Sequence, residues 1–266
     1  MELADLADVL TMVRFRDRDL VVSTKPDLTP VTEADRTVEQ ALRARITAER
    51  PDHGIVGEEF GAAAGRTAWR WVLDPIDGTK NYVRGVPVWA TCIGLQHDEV
   101  GVVGVVSAPA LGRRWWASRG HGAFAAPAGL GVAGAAEPGQ PIRVSAVTDL
   151  ADAQLSYDSV MSFEAYGLGE RFLELARRCW RTRGLGDFWS HVLVAEGAVD
   201  VAAEPEVSIW DVAAVQVIVE EAGGRFSDLG GASRPDGGSA VSTNGVLHDQ
   251  VLAALALGGT TGDRSR

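Results

Sequence analysis

Cysteine is scarce in this chain, which contains only Cys92 and Cys179. Two cysteines cannot build a disulfide framework or a cysteine-rich metal site, and we expect both to be small core residues. The five histidines show no pair at the spacing of zinc ligands. The sequence therefore argues against a disulfide-stabilised scaffold and against a zinc centre.

Long apolar runs and an excess of basic residues are also lacking. No run of about 18 apolar residues occurs, so we expect no transmembrane helix. The N-terminus carries Glu2 and Asp5 where a signal peptide would carry Lys or Arg, which indicates a cytoplasmic protein without a membrane partner. The formal net charge of −11 argues against nucleic acid, whose phosphates are repelled by an acidic surface. A phosphate-bearing ligand would then need cations or metal ions within its site.

Helical and strand-like patterns alternate along the 266 residues, of which 46% are hydrophobic. Apolar residues at helical spacing predict helices over about 3–17, 32–48, 165–179, 187–196, 209–222 and 246–256. Runs of β-forming residues predict strands over about 88–95, 100–107, 113–117, 198–203 and 240–243. This mixture of elements predicts a layered fold of the α/β or α+β class.

A stretch of small residues, Gly and Pro interrupts this alternation at 126–141 and predicts a loop. We therefore divide the chain into an N-terminal α+β half, 1–140, and a C-terminal α/β half, 141–266. Both halves are expected to form one compact globular unit. The last residues, GGTTGDRSR, are expected to be disordered.

The densest chemical signal is the segment WVLDPIDGTKN at 71–81. An apolar strand runs into Asp74, then into Pro75, which we expect to end the strand, and then into Asp77. Two carboxylates three residues apart across a turn can converge on one point, and such hard oxygen ligands suit Mg²⁺. The alternative is a surface turn in which the two acids only cap local N–H groups.

Gly78 and Thr79 complete this motif. The lack of a side chain at Gly78 lets backbone N–H groups approach an anion closely. The hydroxyl of Thr79 can orient a water molecule. This combination indicates a phosphate site beside the two acids.

Three further positions add carboxylates at a distance along the chain. Glu58 follows a short apolar strand, Asp211 lies in the first turn of the helix at 209–222, and Asp35 lies in the first turn of the helix at 32–48. Taken singly, Asp211 could be a helix-dipole partner and Asp35 a solvated helix residue. The sequence alone leaves these alternatives open.

The order of GEE (57–59), DPIDGTKN (74–81), WDVAA (210–214) and EAGG (221–224) resembles the inositol monophosphatase family of lithium-sensitive, magnesium-dependent phosphatases. The resemblance extends from about residue 25 to about residue 250 and implies an alternating αβαβα sandwich. Within the family, the likeness is closer to the bacterial histidinol-phosphate phosphatases. The stretches that carry it are KPDLTPVTEADR (25–36), VGEEFG (56–61), DPIDGTKNYVRGVPVWA (74–90), VVSAPALGRRWWA (105–117), GDFWSHVLVAEGAVDVAAEP (186–205) and AVSTNGVLHD (240–249).

The resemblance implies two main metal sites. Glu58, Asp74 and the backbone carbonyl of Ile76 would bind one Mg²⁺, while Asp74, Asp77 and Asp211 would bind a second. In this interpretation the N-terminal half carries the metal-site motifs and the C-terminal half completes the active site.

Further roles follow from the same resemblance. Asp35 would help a third, weaker ion, so that two to three Mg²⁺ occupy each site. The N–H groups of Gly78 and Thr79 would hold the phosphate. The catalytic residues would be Glu58, Thr79 and Asp77. Of these, Glu58 and Thr79 would orient and deprotonate the attacking water.

The alcohol portion of the substrate is expected near three other residues. Glu204 matches a family position that contacts the alcohol, and Asp187 and Asn81 are further candidates. A cationic alcohol such as L-histidinol prefers carboxylates, through charge-assisted hydrogen bonds. Asp187 could equally be the N-cap of the following helix, and His191 is better explained as a structural histidine than as a ligand.

The implied activity is Mg²⁺-dependent hydrolysis of L-histidinol phosphate to L-histidinol and phosphate, a reaction of histidine biosynthesis. The alternatives are an inositol-1-monophosphatase or another phosphatase of small monoesters, and a scaffold that binds metal or inositol phosphate without turnover. The family also implies a homodimer. The expected partner is a small phosphate monoester, and neither nucleic acid nor membrane.

Overall fold

The computed structural model describes residues 1–24, 30–128 and 139–256. The helices are α1 (Glu2–Arg14), α2 (Glu33–Glu49), α3 (Thr79–Val83), α4 (Val160–Ala165), α5 (Gly169–Arg178), α6 (Asp187–Ala195), α7 (Ile209–Glu221) and α8 (His248–Leu255). The strands are β1 (Val22–Thr24), β2 (Pro30–Thr32), β3 (Gly54–Gly57), β4 (Gly61–Ala63), β5 (Trp69–Asp77), β6 (Ala90–His97), β7 (Val100–Ala108), β8 (Arg113–Ser118), β9 (Ala123–Pro127), β10 (Gln140–Ile142), β11 (Gln154–Tyr157), β12 (Arg181–Gly184), β13 (Val201–Glu204), β14 (Arg225–Ser227) and β15 (Ala240–Thr243).

Two sheets dominate the described residues. The larger has eight strands in the order β10-β9-β8-β7-β6-β5-β3-β4, and its neighbours are antiparallel except for the parallel pair β3 and β5. The smaller has five strands in the order β12-β11-β13-β15-β14, of which β12, β11 and β13 are mutually parallel. A hairpin of β1 and β2 stands apart from both sheets.

The helices form three layers around these sheets. Apolar side chains of α1 and α2 pack on one face of the large sheet. Helices α6 and α7 pack on its other face, and α7 also contacts β14 and β15 of the small sheet. Helices α4, α5 and α8 share a core with the remaining face of the small sheet. The layer order is therefore αβαβα, as the family resemblance implied.

Helix α7 lies between the two sheets because its sequence is apolar all round. Every residue from Val212 to Val219 is buried, including Gln216, and a helix without a polar face is stable only when it is enclosed. Glycines in the large sheet let it approach closely, since a Cβ on Gly104 would collide with the carbonyl oxygen of Ala214. The central helix therefore depends on small residues in the strands beneath it.

Several expected elements are confirmed and others need correction. The capped start of α2, the helix at 209–222 and the strand at 240–243 are present. The helix expected at 165–179 is α5, which begins only at Gly169, because a turn at 166–168 containing Gly167 at φ +70° separates it from the preceding α4. A glycine with positive φ ends a helix, which explains the break.

The ends of the loop expected at 126–141 belong to strands. Strand β9 extends to Pro127, and β10 begins at Gln140 and pairs with β9. The large sheet therefore reaches Ile142, just beyond the proposed division at 140. Residues 129–138, on which most of that loop prediction falls, and the C-terminal stretch 258–266, for which disorder was predicted, lie outside the described residues.

Two expectations about cysteine and membranes can also be compared with the structure. Cys92 is buried in the large sheet as expected, but Cys179 is only half-buried where it follows α5. None of the helices in the described ranges is long and apolar enough to span a membrane.

Candidate active site

A bulge at the end of β5 brings Asp74 and Asp77 to the same side of the sheet. Asp74 pairs with Cys92 and Asp77 with Ala90, so three residues on β5 face two on β6. In a regular strand, side chains three residues apart lie on opposite faces. The bulge adds one residue, so the side chains of Asp74 and Asp77 lie on the same face. The sequence pattern was therefore right about convergence.

The expectation that Pro75 ends the strand was wrong. Strand β5 continues through Pro75 to Asp77. Proline has no N–H to give to a sheet, and a bulge is a place where none is required. The N–H of Ile76 donates to Asp74 Oδ1 at 2.9 Å, which fixes the direction of that carboxylate.

Asp211 reaches the same place from the first turn of α7. Its Oδ2 accepts the N–H of Ser208 at 2.7 Å, in a capping box. Carboxylate oxygens of Asp74, Asp77 and Asp211 lie within 4.8 Å of one another. Asp74 and Asp77 are only 2% and 7% exposed, so the alternative of a surface turn was wrong. Asp211 is both a helix cap and a member of this three-carboxylate cluster.

The electrostatics of the three-carboxylate cluster favour a cation. Burial and then the charge of Glu58 hold the pKa of Asp74 well above its ordinary range. Burial and then the charge of Asp187 do the same to the pKa of Asp77. Burial raises the pKa of Asp211 to about 7. Crowded carboxylates that disfavour their own ionisation are stabilised by a bound cation, and an all-oxygen set suits Mg²⁺.

Glu58 lies beside this cluster because of strand register. Strands β3 and β5 are parallel, and Gly57 pairs with Leu73, so Glu58 and Asp74 follow at the same edge of the sheet. The N–H of Glu58 donates to the carbonyl of Leu73 at 3.3 Å. The charge of Glu58 raises the pKa of both Asp74 and Asp211, as expected for a neighbouring carboxylate.

Asp35 and Thr79 meet on the other side of the bulge. Asp35 is fully buried, so the alternative of a solvated helix residue was wrong. Its Oδ2 accepts the N–H of Thr32 at 2.8 Å in a capping box, and its Oδ1 lies 3.3 Å from Thr79 Oγ1. Thr79 Oγ1 also lies 2.9 Å from the carbonyl oxygen of Ile76, so its one hydrogen donates either to Ile76 or to Asp35. The three residues that the resemblance assigns to water and metal are therefore in direct contact.

Gly78 has the backbone conformation that the turn into α3 requires. Its φ is +84°, a left-handed value that favours glycine. A Cβ at this position would stand 3.1 Å from the carbonyl oxygen of Val88 and 3.3 Å from Asp187 Oδ2. The first N–H groups of a helix have no acceptor within it, so the turn offers donors for an anion.

Asp187 and Glu204 lie close to Asp77. Asp187 has a left-handed φ of +51°, and with this conformation the next N–H, of Phe188, donates to Asp77 Oδ2 at 2.6 Å. Burial raises the pKa of Asp187 to about 6. Burial, followed by the charge of Asp187, holds the pKa of Glu204 well above its ordinary range. Asn81 Nδ2 donates to the carbonyl of Val88 at 2.9 Å and lies 3.4 Å from Asp187 Oδ2. The Asn81 side chain therefore links the backbone at Val88 to the Asp187 carboxylate.

Comparisons with known proteins agree on one family. The sequence profile of the inositol monophosphatase family matches residues 1–257. The chain belongs to the inositol monophosphatase family. It is 55% identical to a histidinol-phosphatase of Mycobacterium tuberculosis, over 97% of this chain and 96% of that one. It is 52% identical to a histidinol-phosphatase of Streptomyces coelicolor, over 95% and 94% of the two chains.

A solved structure supports the fold of this inositol monophosphatase family member. The Thermotoga maritima IMPase superposes with a TM-score of 0.82 at 30% sequence identity, covering 96% of this chain and 94% of that one. The alternating αβαβα arrangement is thereby confirmed. Metal dependence of the family agrees with the three-carboxylate cluster on β5 and α7.

Two residues at the site of this family member escaped the sequence analysis. Asp158 follows β11 directly, and Glu39 is fully buried on α2, where it accepts the N–H of Glu59 at 2.7 Å. An acid directly after a strand was the signal that identified Asp74, and it would have identified Asp158 had the short strand QLSY been recognised. No local signal marks Glu39, because its partner lies 20 residues away.

Proposed function

We propose that this protein is a Mg²⁺-dependent phosphatase that hydrolyses L-histidinol phosphate to L-histidinol and inorganic phosphate. The observation that carries the proposal is the convergence of Asp74, Asp77 and Asp211 within 4.8 Å, beside two further acids, Glu204 and Asp187, whose pKa values burial raises. The first feature suits a phosphate held through metal ions, and the second suits a cationic alcohol.

The residues that would hold the ions are those around the bulge. Glu58, Asp74 and the carbonyl of Ile76 would hold one ion, and Asp74, Asp77 and Asp211 a second. Bound Mg²⁺ would neutralise charge on the phosphate and lower the pKa of water. The raised pKa values of the three aspartates support this assignment, because a cation would relieve the repulsion between them.

The attacking water would be oriented by Thr79 and Glu58. A hydroxyl donates one hydrogen and accepts two, so Thr79 Oγ1 can donate to Ile76 or Asp35 and still accept from water. Glu58 would take one proton of that water as the water oxygen bonds to phosphorus and the ester bond to the alcohol oxygen breaks. The leaving alcohol oxygen would take a proton from a solvent water molecule. Asp35 would keep Thr79 in position and help a third, weaker ion.

The phosphate and the alcohol would contact different residues around Asp77. The N–H groups of Gly78 and Thr79 would bind the phosphate, since no side chain obstructs them. Asp187 and Glu204 would face the alcohol, and Asn81 would contact it or hold Asp187 in place. The histidinol-phosphatases that resemble this chain at 55% and 52% identity support the same substrate.

Other parts of the proposal rest on the family resemblance. They are the occupancy of two to three ions, the homodimer and the place in histidine biosynthesis. The cytoplasmic location rests instead on the expectation stated in the sequence analysis. Sedimentation of the purified protein at several concentrations would measure its oligomeric state. A monomer at all concentrations would remove the homodimer from the proposal and leave the chemistry unchanged.

The decisive experiment is a comparison of substrates. Phosphate release is measured from histidinol phosphate and from inositol 1-phosphate, with Mg²⁺ and with EDTA. We expect release that requires Mg²⁺ and strongly favours histidinol phosphate. A preference for inositol phosphate would keep the mechanism but change the substrate. A protein that binds Mg²⁺ with gain of stability yet releases phosphate from neither would be a scaffold.

A further inference from the structure

Three neighbouring parallel strands of the small sheet each have an acid at their carboxyl end or shortly after it. Tyr157 of β11 pairs with Ala203 of β13, so Asp158 and Glu204 follow as the next neighbours. Strand β12 leads into the turn that carries Asp187. Ligands of parallel sheets bind at this edge, outside the carboxyl ends of the strands.

The turn before α6 brings Asp187 towards Asp158. The N–H of Gly186 donates to the carbonyl of Tyr157 at 3.1 Å. A Cβ on Gly186 would stand 3.6 Å from the Cα of Asp158. The charge of Asp158 adds to the rise in the pKa of both Asp187 and Glu204, as expected for acids around one space.

Two carboxylate oxygens in this group make no hydrogen bond within the described part of the chain. They are Asp158 Oδ1 and Glu204 Oε1, and both atoms are buried. The Glu204 side chain is 7% exposed. Asp158 is fixed through its other oxygen, which accepts the Ser162 hydroxyl at 2.6 Å. A buried carboxylate oxygen without a donor is costly, so these atoms point to a ligand that brings donors.

The protein supplies little positive charge to this group. His191 Nε2 lies 3.7 Å from Glu204 Oε1, beyond hydrogen-bond distance, and Nε2 is itself without a hydrogen bond within the described residues. Burial lowers the pKa of His191 to about 4, so the ring is neutral near pH 7. Lys80 lowers the pKa of Asp187, but it is exposed.

We propose that Asp158, Glu204 and Asp187 bind the protonated amine of the substrate's alcohol portion, and that Asp158 is a specificity-determining residue. The inference rests on the proposed function of the same site. An ammonium group carries three donors and one positive charge, which match the buried oxygens of Asp158 and Glu204 and the carboxylate of Asp187.

The test compares Asp158→Asn with the native enzyme on two substrates. One is histidinol phosphate, and the other is its deamino analogue, 3-(imidazol-4-yl)propyl phosphate. Asparagine keeps an acceptor for Ser162 but loses the charge. We expect kcat/KM for histidinol phosphate to fall at least about tenfold, and kcat/KM for the deamino analogue to change less than about twofold. Asp152→Asn is the matched control, because it removes the same charge from an exposed residue before β11.

Equal losses of kcat/KM on the two substrates, or no loss on either, would overturn the role of Asp158. The native enzyme alone provides a second test in case Asp158→Asn does not fold. Equal kcat/KM for histidinol phosphate and the deamino analogue would contradict an amine site.

Failure of the proposed substrate is distinguished by a separate measurement. If the native enzyme hydrolyses p-nitrophenyl phosphate but not histidinol phosphate, the proposed function fails. The amine site is then decided by competitive inhibition of p-nitrophenyl phosphate hydrolysis by L-histidinol. Inhibition that weakens at least about tenfold in Asp158→Asn supports the site, and absence of inhibition of the native enzyme overturns it.

Discussion

The Glu39 carboxylate holds the turn that follows β3 and therefore positions Glu58. It accepts the N–H groups of Glu59 at 2.7 Å and of Phe60 at 3.3 Å, together with Arg43 Nε at 2.6 Å. It lies so close to the backbone that a Cβ on Gly57 would collide with it. Glu39→Gln keeps the size of the side chain but removes its charge, and it turns an amide N–H₂ towards groups that are themselves donors.

The stability lost in Glu39→Gln depends on the hydrogen bonds that the carboxylate accepts. Hydrogen bonds to a charged group contribute about 1.5–3 kcal/mol each, and glutamine retains one acceptor. We expect the free energy of unfolding to fall by about 2–3 kcal/mol, which corresponds to roughly 5–10 °C in Tm for a chain of this size. Because Glu58 directly follows the β3 strand, the Mg²⁺ concentration for half-maximal activity should rise several-fold.

The assays are thermal unfolding and a Mg²⁺ titration of phosphate release. Glu49→Gln is the control, since Glu49 also pairs with an arginine of α2, Arg45 Nε at 2.5 Å, but its side chain is 47% exposed. An exposed pair of this kind contributes under about 1 kcal/mol. A native Tm in Glu39→Gln would refute the energetic argument. A lowered Tm with unchanged Mg²⁺ dependence would refute the positioning of Glu58.

Three further substitutions test two residues of the active site and one buried histidine. Asp77→Asn should lower turnover at least about 100-fold while the circular dichroism spectrum stays native, because one of the carboxylate charges that would hold the second ion is lost; near-native phosphate release would contradict the site. Glu204→Gln should impair histidinol phosphate hydrolysis far more than p-nitrophenyl phosphate hydrolysis, whereas equal losses would make Glu204 part of the general machinery. Burial lowers the pKa of His248 from 6.5 to about 4, so burial of the neutral ring stabilises the fold fully above pH 6.5. This stabilisation is lost as the pH falls towards 4. The loss amounts to about 3 kcal/mol. The slope of the free energy of urea unfolding against pH should therefore be smaller in His248→Gln than in the native protein. An equal slope in the two proteins would contradict the prediction.

Local signals explain what the sequence predicted well. The acids of DPIDGT stand next to a strand end and a glycine, and Asp211 stands in the first turn of a strongly apolar helix. Each of these features is contained in fewer than about ten neighbouring residues, which is the range over which periodicity and capping act. Helix α7 was predicted almost to its ends for the same reason.

Long-range pairing explains what the sequence did not predict. The bulge in β5 is visible only from the register with β6, so Pro75 looked like a strand end. Asp158 becomes significant only when β11 is paired with β13, and Glu39 only when α2 meets the turn after β3. Such contacts depend on tertiary structure, which a single sequence does not reveal.

The active site exists because packing outweighs electrostatic repulsion at the junction of the two sheets. The large sheet supplies Asp74 and Asp77, and α7 adds Asp211. The rise of the Asp211 pKa from 3.8 to about 7 corresponds to a penalty of about 4 kcal/mol at neutral pH. Each large apolar side chain that α7 buries contributes about 1.5–3 kcal/mol, so burial of Val212, Ile218 and the valines between them exceeds this penalty. A bound cation would offset the part of this penalty that comes from repulsion between carboxylates, so metal binding would stabilise the folded chain.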